Sequence, residues 1–154
     1  MQKFPFDEID ELYRDVILRH YRNAGNKARI EEPDIEYDEF NPICGDQVVL
    51  QLKLSDGRIG RASFRGQGCA ISQASASMMA DLLRGKTLKE AEGLSETFRQ
   101  IMLGRTPTHE ELIELGDLEA LQAVRKFPVR IKCALLAWIA LEQGIEEYRN
   151  RSGQ

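Results

Sequence analysis

The sequence is short of cysteine, histidine and tryptophan, with three, two and one of them among 154 residues. An odd cysteine count argues against a disulfide framework, and the lack of any Cys-x-x-Cys removes zinc-ribbon and thioredoxin motifs. Positive charge is not in surplus either. Lys and Arg number 21 against 25 Asp and Glu, a net charge of −4, which is the wrong sign for a nucleic-acid footprint. No apolar run approaches the roughly 20 residues that cross a bilayer. Met1-Gln2-Lys3-Phe4-Pro5 leads into acidic residues, not into an apolar signal region. Together these absences predict a cytoplasmic chain with no membrane or nucleic-acid partner. In that reducing compartment its cysteines are free thiols, catalytic groups or ligands. What is present, 42% hydrophobic and 30% charged residues, is an ordinary globular balance with length enough for one domain over residues 1–154.

Periodicity divides the chain. Ile9, Leu12, Tyr13, Val16, Ile17 and Tyr21 recur at helical spacing, predicting an amphipathic helix from Phe6 to Asn23 with Asp7 as cap and Gly25 as stop. His20 on that helix reads as a surface or C-terminal capping residue. Asn26 to Asn41 has no clear period and reads as a loop, with Ile35 to Phe40 as a candidate strand. Gln47 to Leu54 alternates, Val48, Leu50, Leu52 and Leu54 sharing a face. Asp56-Gly57 supplies a tight turn, and Arg58 to Arg65 returns with Gly60, Ala62 and Phe64 on one side. A hairpin alone is marginal, so helices must cover it.

The remainder reads as helical. Cys69 to Leu83 is rich in Ala and Ser, which permits close packing, and Gly85 fits as its stop. Two short helices are expected over Leu88 to Leu94 and Ser95 to Leu103. Thr108-His109-Glu110-Glu111 forms a capping box that opens a helix through Leu115, with His109 exposed in its first turn. Gly116-Asp117 interrupts, and Leu118 to Arg125 continues helically. Pro128 starts a last helix, with Ile131, Leu135, Trp138, Ile139 and Leu141 as its apolar stripe. Hairpin followed by helices predicts an α+β fold, a small antiparallel three-stranded sheet with helices on one face.

The cysteines, Cys44, Cys69 and Cys133, are widely separated, so spacing alone leaves them as three small buried apolar groups or as ligands. Their contexts favour ligands. Gly45 lies between Cys44 and Asp46, so a bend there aims both side chains at one point. Cys69 follows Gly66-Gln67-Gly68 at a strand-to-helix junction, where N–H groups and the helix dipole favour a thiolate. Cys133 lies near the start of the last helix. Three thiolates and the Asp46 carboxylate suit a tetrahedral Zn²⁺. Such a cage carries excess negative charge, which Arg130 and Lys132 stand ready to offset, although each also reads as a solvated surface cation.

Three blocks then carry a resemblance. Cys44-Gly45-Asp46, Gly66-Gln67-Gly68-Cys69-Ala70-Ile71-Ser72 with Ala74-Ser75-Ala76-Ser77, and Arg130-Ile131-Lys132-Cys133-Ala134-Leu135 are similar, in this order, to the iron–sulfur cluster assembly proteins of the IscU/NifU N-terminal type. Within that family the chain resembles the SufU branch. Lys132 stands where IscU-type proteins carry His, and Lys126-Phe127-Pro128-Val129-Arg130 stands where they carry a Leu-Pro-Pro-Val-Lys chaperone motif. An insertion falls around residues 104–124.

The resemblance implies a SufE/NifU-like fold and a transferase-like role, that of a zinc-dependent sulfur acceptor, or sulfurtransferase. Its partners would be a SufS-type, PLP-dependent cysteine desulfurase that supplies persulfide sulfur and downstream iron–sulfur assembly proteins. Cys44, Asp46, Cys69 and Cys133 would hold the zinc, and Cys44 would accept sulfur. Two other readings stay open at this point: a scaffold binding iron or a transient [2Fe–2S] cluster, to which Cys ligands are suited, and a structural zinc domain that docks partners.

Overall fold

The computed structural model describes residues 11–22, 27–42 and 45–153. The expected cap Asp7 and stop Gly25, like Cys44, lie outside these residues. Helix α1 spans Glu11–Arg22. Strands β1 (Ile35–Asn41), β2 (Asp46–Ser55) and β3 (Arg58–Gln67) follow, then α2 (Ala70–Leu83), α3 (Leu88–Met102), α4 (His109–Leu115), a 3₁₀ segment (Gly116–Val124) and α5 (Pro128–Ser152). The sheet is antiparallel in the order β1-β2-β3. This is the expected α+β arrangement.

Alternation of side chains along β2 sets everything near the sheet. Val48, Leu50 and Leu52 are fully buried, and their cross-strand neighbours on β3, Phe64 and Ala62, are buried with them. Helices α2 and α5 close over this face. The approach of α5 to β1 is close enough that a Cβ on Gly144 would lie 2.8 Å from Ile35 Cγ2. On the opposite face the chain before β1 gives cover, with Ile30 N–H donating to Gln51 Oε1 at 2.9 Å. Asp56 and Gly57 both take positive φ, 52° and 78°, the turn that matches strand twist.

Past the turn, one detail departs from simple alternation. The register shifts between Lys53 and Leu54, which pairs Leu54 with Ile59 and Lys53 with Arg61. Gly60 is the extra residue of a bulge. It is exposed and Ile59 is buried in its place, so the expected face of Gly60 is corrected.

Helix α2 is central: every residue from Ile71 to Ala80 is buried. Its small side chains let neighbours approach, and its serines are satisfied. Ser75 Oγ donates to the Ala134 carbonyl at 2.6 Å and accepts from Trp138 Nε1 at 3.1 Å. Trp138 packs on Phe98 of α3, ring centroids 5.3 Å apart.

Two helical expectations change. Residues 88–102 form one helix, because Ala91, Leu94, Phe98, Ile101 and Met102 make a continuous buried stripe that outweighs the cost of Gly93. Thr87 caps it with a full capping box to Glu90, unnoticed in the sequence. On α5 the buried stripe runs through Cys133, Ala134, Ala137, Trp138, Leu141 and Ile145. Ile139 is exposed and Ile131 and Leu135 are half-buried, since small residues win the positions nearest the sheet. The Thr108 capping box forms as expected, and His109 is exposed.

His20 is not a surface cap. It is buried, with Nδ1 3.2 Å from Ser77 Oγ and Nε2 3.0 Å from Asp117 Oδ2, and Arg19 holds the same carboxylate oxygen at 2.7 Å. This junction ties the 3₁₀ segment and α2 to α1. Among the described residues no helix is long and apolar enough to cross a membrane.

Candidate metal centre

The register of β1 and β2 ends on the pair Asn41 and Asp46. Period-two alternation puts Asp46 on the same inward face as Val48 and Leu50, and its relative exposure is 0%. A carboxylate at a core position of a strand is costly unless other groups meet it there. Two groups that do are thiols. Asp46, Cys69 and Cys133 are all buried, and one potential ligand atom from each lies within 4.8 Å of the others.

Glycines make this approach possible. A Cβ on Gly68 would lie 2.5 Å from Asp46 Oδ1 and 2.6 Å from Ser72 Oγ, so the carboxylate occupies the space a side chain would fill. Gly66 has φ of 146°, and a Cβ there would stand 2.0 Å from the Gln47 carbonyl oxygen. Two glycines in three residues therefore bring the end of β3 against the start of β2, and the chain then turns into α2. Gly45, at φ 72°, donates its N–H to the Asn41 carbonyl at 2.8 Å and closes the turn before Asp46.

Cys69 takes the N-cap position of α2. Its N–H donates to Asp46 Oδ1 at 3.0 Å, and its sulfur, when protonated, is 3.5 Å from Asp46 Oδ2. Ser72 Oγ donates to the Cys69 carbonyl at 3.1 Å and lies 4.0 Å from the sulfur. The thiol is drawn down to about 6, chiefly by a hydrogen bond from Cys133. Burial opposes this, the Ser72 and Ile71 backbone N–H groups assist it, and the nearby Asp46 opposes it. Cys133 lies one turn after Val129, whose carbonyl is 3.6 Å from its sulfur. Arg130 is buried on α5, whereas Lys132 is exposed.

The chemistry of this donor set suits a divalent ion. Two thiols and a carboxylate, all groups that ionise to anions, share one small buried volume, and soft sulfur with a single oxygen selects zinc or iron over magnesium or calcium. A buried trio of this kind is stable as a trio of anions only around a cation.

Fold and centre together define a small α+β domain that gathers distant thiols around one point. The chain belongs to the NifU-like N-terminal domain family, which matches residues 12–134. It is 47% identical to the zinc-dependent sulfurtransferase SufU of Bacillus subtilis over 137 residues, 89% of this chain and 91% of that protein. It is 36% identical to the iron–sulfur cluster assembly scaffold protein IscU of Streptococcus pyogenes, over 93% of this chain and 88% of that one. Among solved structures it is similar to a protein of Fervidobacterium islandicum assigned as an iron–sulfur cluster assembly scaffold for the SUF system. The TM-score is 0.82 and the identity 30%, covering 92% of this chain and 99% of that one.

Proposed function

We propose that this chain is a zinc-dependent sulfur acceptor, a transferase-like relay that takes persulfide sulfur from a SufS-type cysteine desulfurase and passes it to iron–sulfur assembly proteins in the cytoplasm. The observation that carries this reading is the buried convergence of Asp46, Cys69 and Cys133 in a chain so similar to a named zinc-dependent sulfurtransferase. Cys44 completes the ligand set in this proposal and is the residue that accepts sulfur. Bound zinc keeps its thiol ligands deprotonated at neutral pH.

The chain's own residues supply the rest. The Cys44 thiolate attacks the outer sulfur of the donor persulfide, because thiolates and not thiols cleave S–S bonds. A new S–S bond forms at Cys44 Sγ. The old one breaks, and its electron pair leaves on the donor cysteine as a thiolate, with no net oxidation. Cys69 at the head of α2 and Cys133 on α5 stay in place, and Asp46 fixes the Cys69 N–H. Arg130 offsets the negative charge of the cage from its buried position on α5. Residues 104–124 are taken as an insertion within the single domain.

Cys44→Ala tests the reading. The expected result is loss of the one-sulfur mass gain after incubation with desulfurase and cysteine, with zinc-loaded wild type as control. Sulfur transfer that survives the substitution would reject it. The similarity to IscU-type scaffolds supports a second reading, assembly of a transient [2Fe–2S] cluster on the same residues. A stoichiometric, transferable cluster formed anaerobically on zinc-free protein, without loss of function, would favour that reading over the first.

A further inference from the structure

The metal centre lies where β3 runs into α2, and the far ends of the same two elements define a second place. At about 3.3 Å per strand residue and about 1.5 Å per helix residue, Arg61 on β3 and Arg84 at the end of α2 each stand roughly 20 Å from Cys69. The sequence makes that end basic. No Asp or Glu occurs from Gly57 to Ala80, while Arg58, Arg61 and Arg65 fall there, in a chain whose net charge is −4. The opposite edge strand, β1, carries Glu36, Asp38 and Glu39 and no cation. Register sharpens the imbalance. The bulge at Gly60 sets Arg61 directly across from Lys53, and like charges opposite one another are destabilising. Lys53 is drawn aside, its Nζ bonded to the Glu32 carbonyl at 2.8 Å and 3.9 Å from Asp34 Oδ2. The Arg61 side chain is exposed and has no ion pair or hydrogen bond among the described residues.

Beside it opens a cleft of about 140 Å³, lined by Ala28, Ile30, Arg61, Ala62, Ser63 and Arg84. Its parts are held in place. Ser63 Oγ donates to the Ala28 carbonyl and seats the wall that precedes β1. Arg84 Nη2 donates to the Ala62 carbonyl at 3.3 Å, and its Nη1 lies 3.2 Å from Asp81 Oδ1. Asp81 is not part of the lining, so two guanidiniums line the cleft and no carboxylate does. A charge on an edge strand deters strand pairing by itself. That role does not call for a second guanidinium, brought to the same cleft from the end of a helix. Two planar guanidinium forks do match the oxygens of a phosphate group.

We propose that Arg61 and Arg84 bind a phosphate group in this cleft, either inorganic phosphate or the phosphate of a small monoester. The site shares no residue with the metal centre and stands independently of the sulfur-acceptor reading.

The test is a titration of zinc-loaded protein with sodium phosphate at neutral pH, ionic strength held constant with NaCl, followed by backbone and arginine side-chain NMR shifts. Saturable shifts at Arg61, Ala62 and Arg84 are expected, with a Kd of about 1–10 mM. The melting temperature should rise with phosphate, as a ligand of the folded state adds to its stability. Arg61→Gln should weaken binding at least about tenfold and remove the phosphate-dependent rise, with zinc content unchanged. Arg61→Lys keeps the charge without the fork and should fall between the two. Phosphoserine in place of phosphate distinguishes the sources: binding at least about tenfold tighter assigns a monoester, and equal or weaker binding assigns free phosphate. Shifts that never saturate, or that NaCl alone reproduces, would overturn the site. So would Arg61→Gln protein that binds phosphate as wild type does, or shifts centred on Asp46 and Cys69, which would put the phosphate on the zinc.

Discussion

Two polar clusters in this molecule each enclose buried polar side chains, one of them with its Arg19 and Asp117 exposed, and they differ in kind. At the junction of α1, α2 and the 3₁₀ segment, His20 meets Ser77 on one ring nitrogen and Asp117 on the other, and Arg19 closes on the same carboxylate. Donors, acceptors and charges balance there. At the centre, Asp46, Cys69 and Cys133 gather three groups that become anions on ionisation. One cluster is complete as the chain folds it, and the other has the donors to hold a cation. Burial of polar groups is therefore not by itself the mark of a working site. The mark is a set whose own members do not neutralise one another.

The largest effect that would sharpen this contrast is metal removal. Chelation of zinc-loaded protein should lower the melting temperature by roughly 10 °C, since ion binding adds directly to folding. His20→Ala protein should lose about the same number of degrees on chelation as wild type, read by calorimetry. Its own cost, about 2 kcal/mol by urea unfolding, comes from losing the packing of the buried ring and its hydrogen bonds to Ser77 and Asp117. Zinc content should be unchanged, and a variant that lost zinc would erase the distinction between the clusters.

Asp46→Asn should change sign with metal. It keeps an acceptor for the Cys69 N–H but removes a buried charge, so zinc-free protein should gain about 1 kcal/mol while zinc affinity falls at least about tenfold. Paired melts with and without zinc decide this, and a loss in both states would speak against an anionic cage. Gly68→Ala should reach the same end by displacement, forcing the Asp46 carboxylate aside and lowering zinc content in a folded protein.

The smallest effects belong to balanced or idle groups. The Asp117 carboxyl is held below its usual range, first by the hydrogen bond from His20. A depressed acid stabilises above its unfolded value and loses that contribution as pH falls through the folded one. Acid unfolding between about pH 4 and 2 should thus be less steep in Asp117→Asn. Gln73 Nε2 is buried with no hydrogen-bond partner among the described residues. Gln73→Leu should leave stability unchanged or raise it by up to about 1 kcal/mol in equilibrium unfolding.

How much of this was legible in the sequence follows from the range of each interaction. Strands β2 and β3 and the Thr108 cap are written in residues two to four apart and were read directly. The convergence expected for Cys44, Asp46, Cys69 and Cys133 rested on the glycines at 45, 66 and 68 and on the family resemblance; three of the four lie together, and Cys44 is outside the described residues. Extending the alternation of Val48 and Leu50 back by one step would also have shown that Asp46 points inward. His20 was misread because its partners, Ser77 and Asp117, are far along the chain and give no local signal. The division of α3 between Leu94 and Ser95 missed a buried stripe that runs across it. The face of Gly60 was lost to a bulge that depends on pairing with Lys53 and Leu54, and the faces of α5 depend on which residues the sheet admits.

Ser75 deserves a last consequence. One hydroxyl joins α2 to the Ala134 carbonyl and to the Trp138 ring, so the helix that begins at Cys69 and the helix that carries Cys133 are pinned together beside the sulfurs they present. They form the fixed jaw of a vice. Whatever play this trio has must then come from the strand side, where Asp46 follows Gly45.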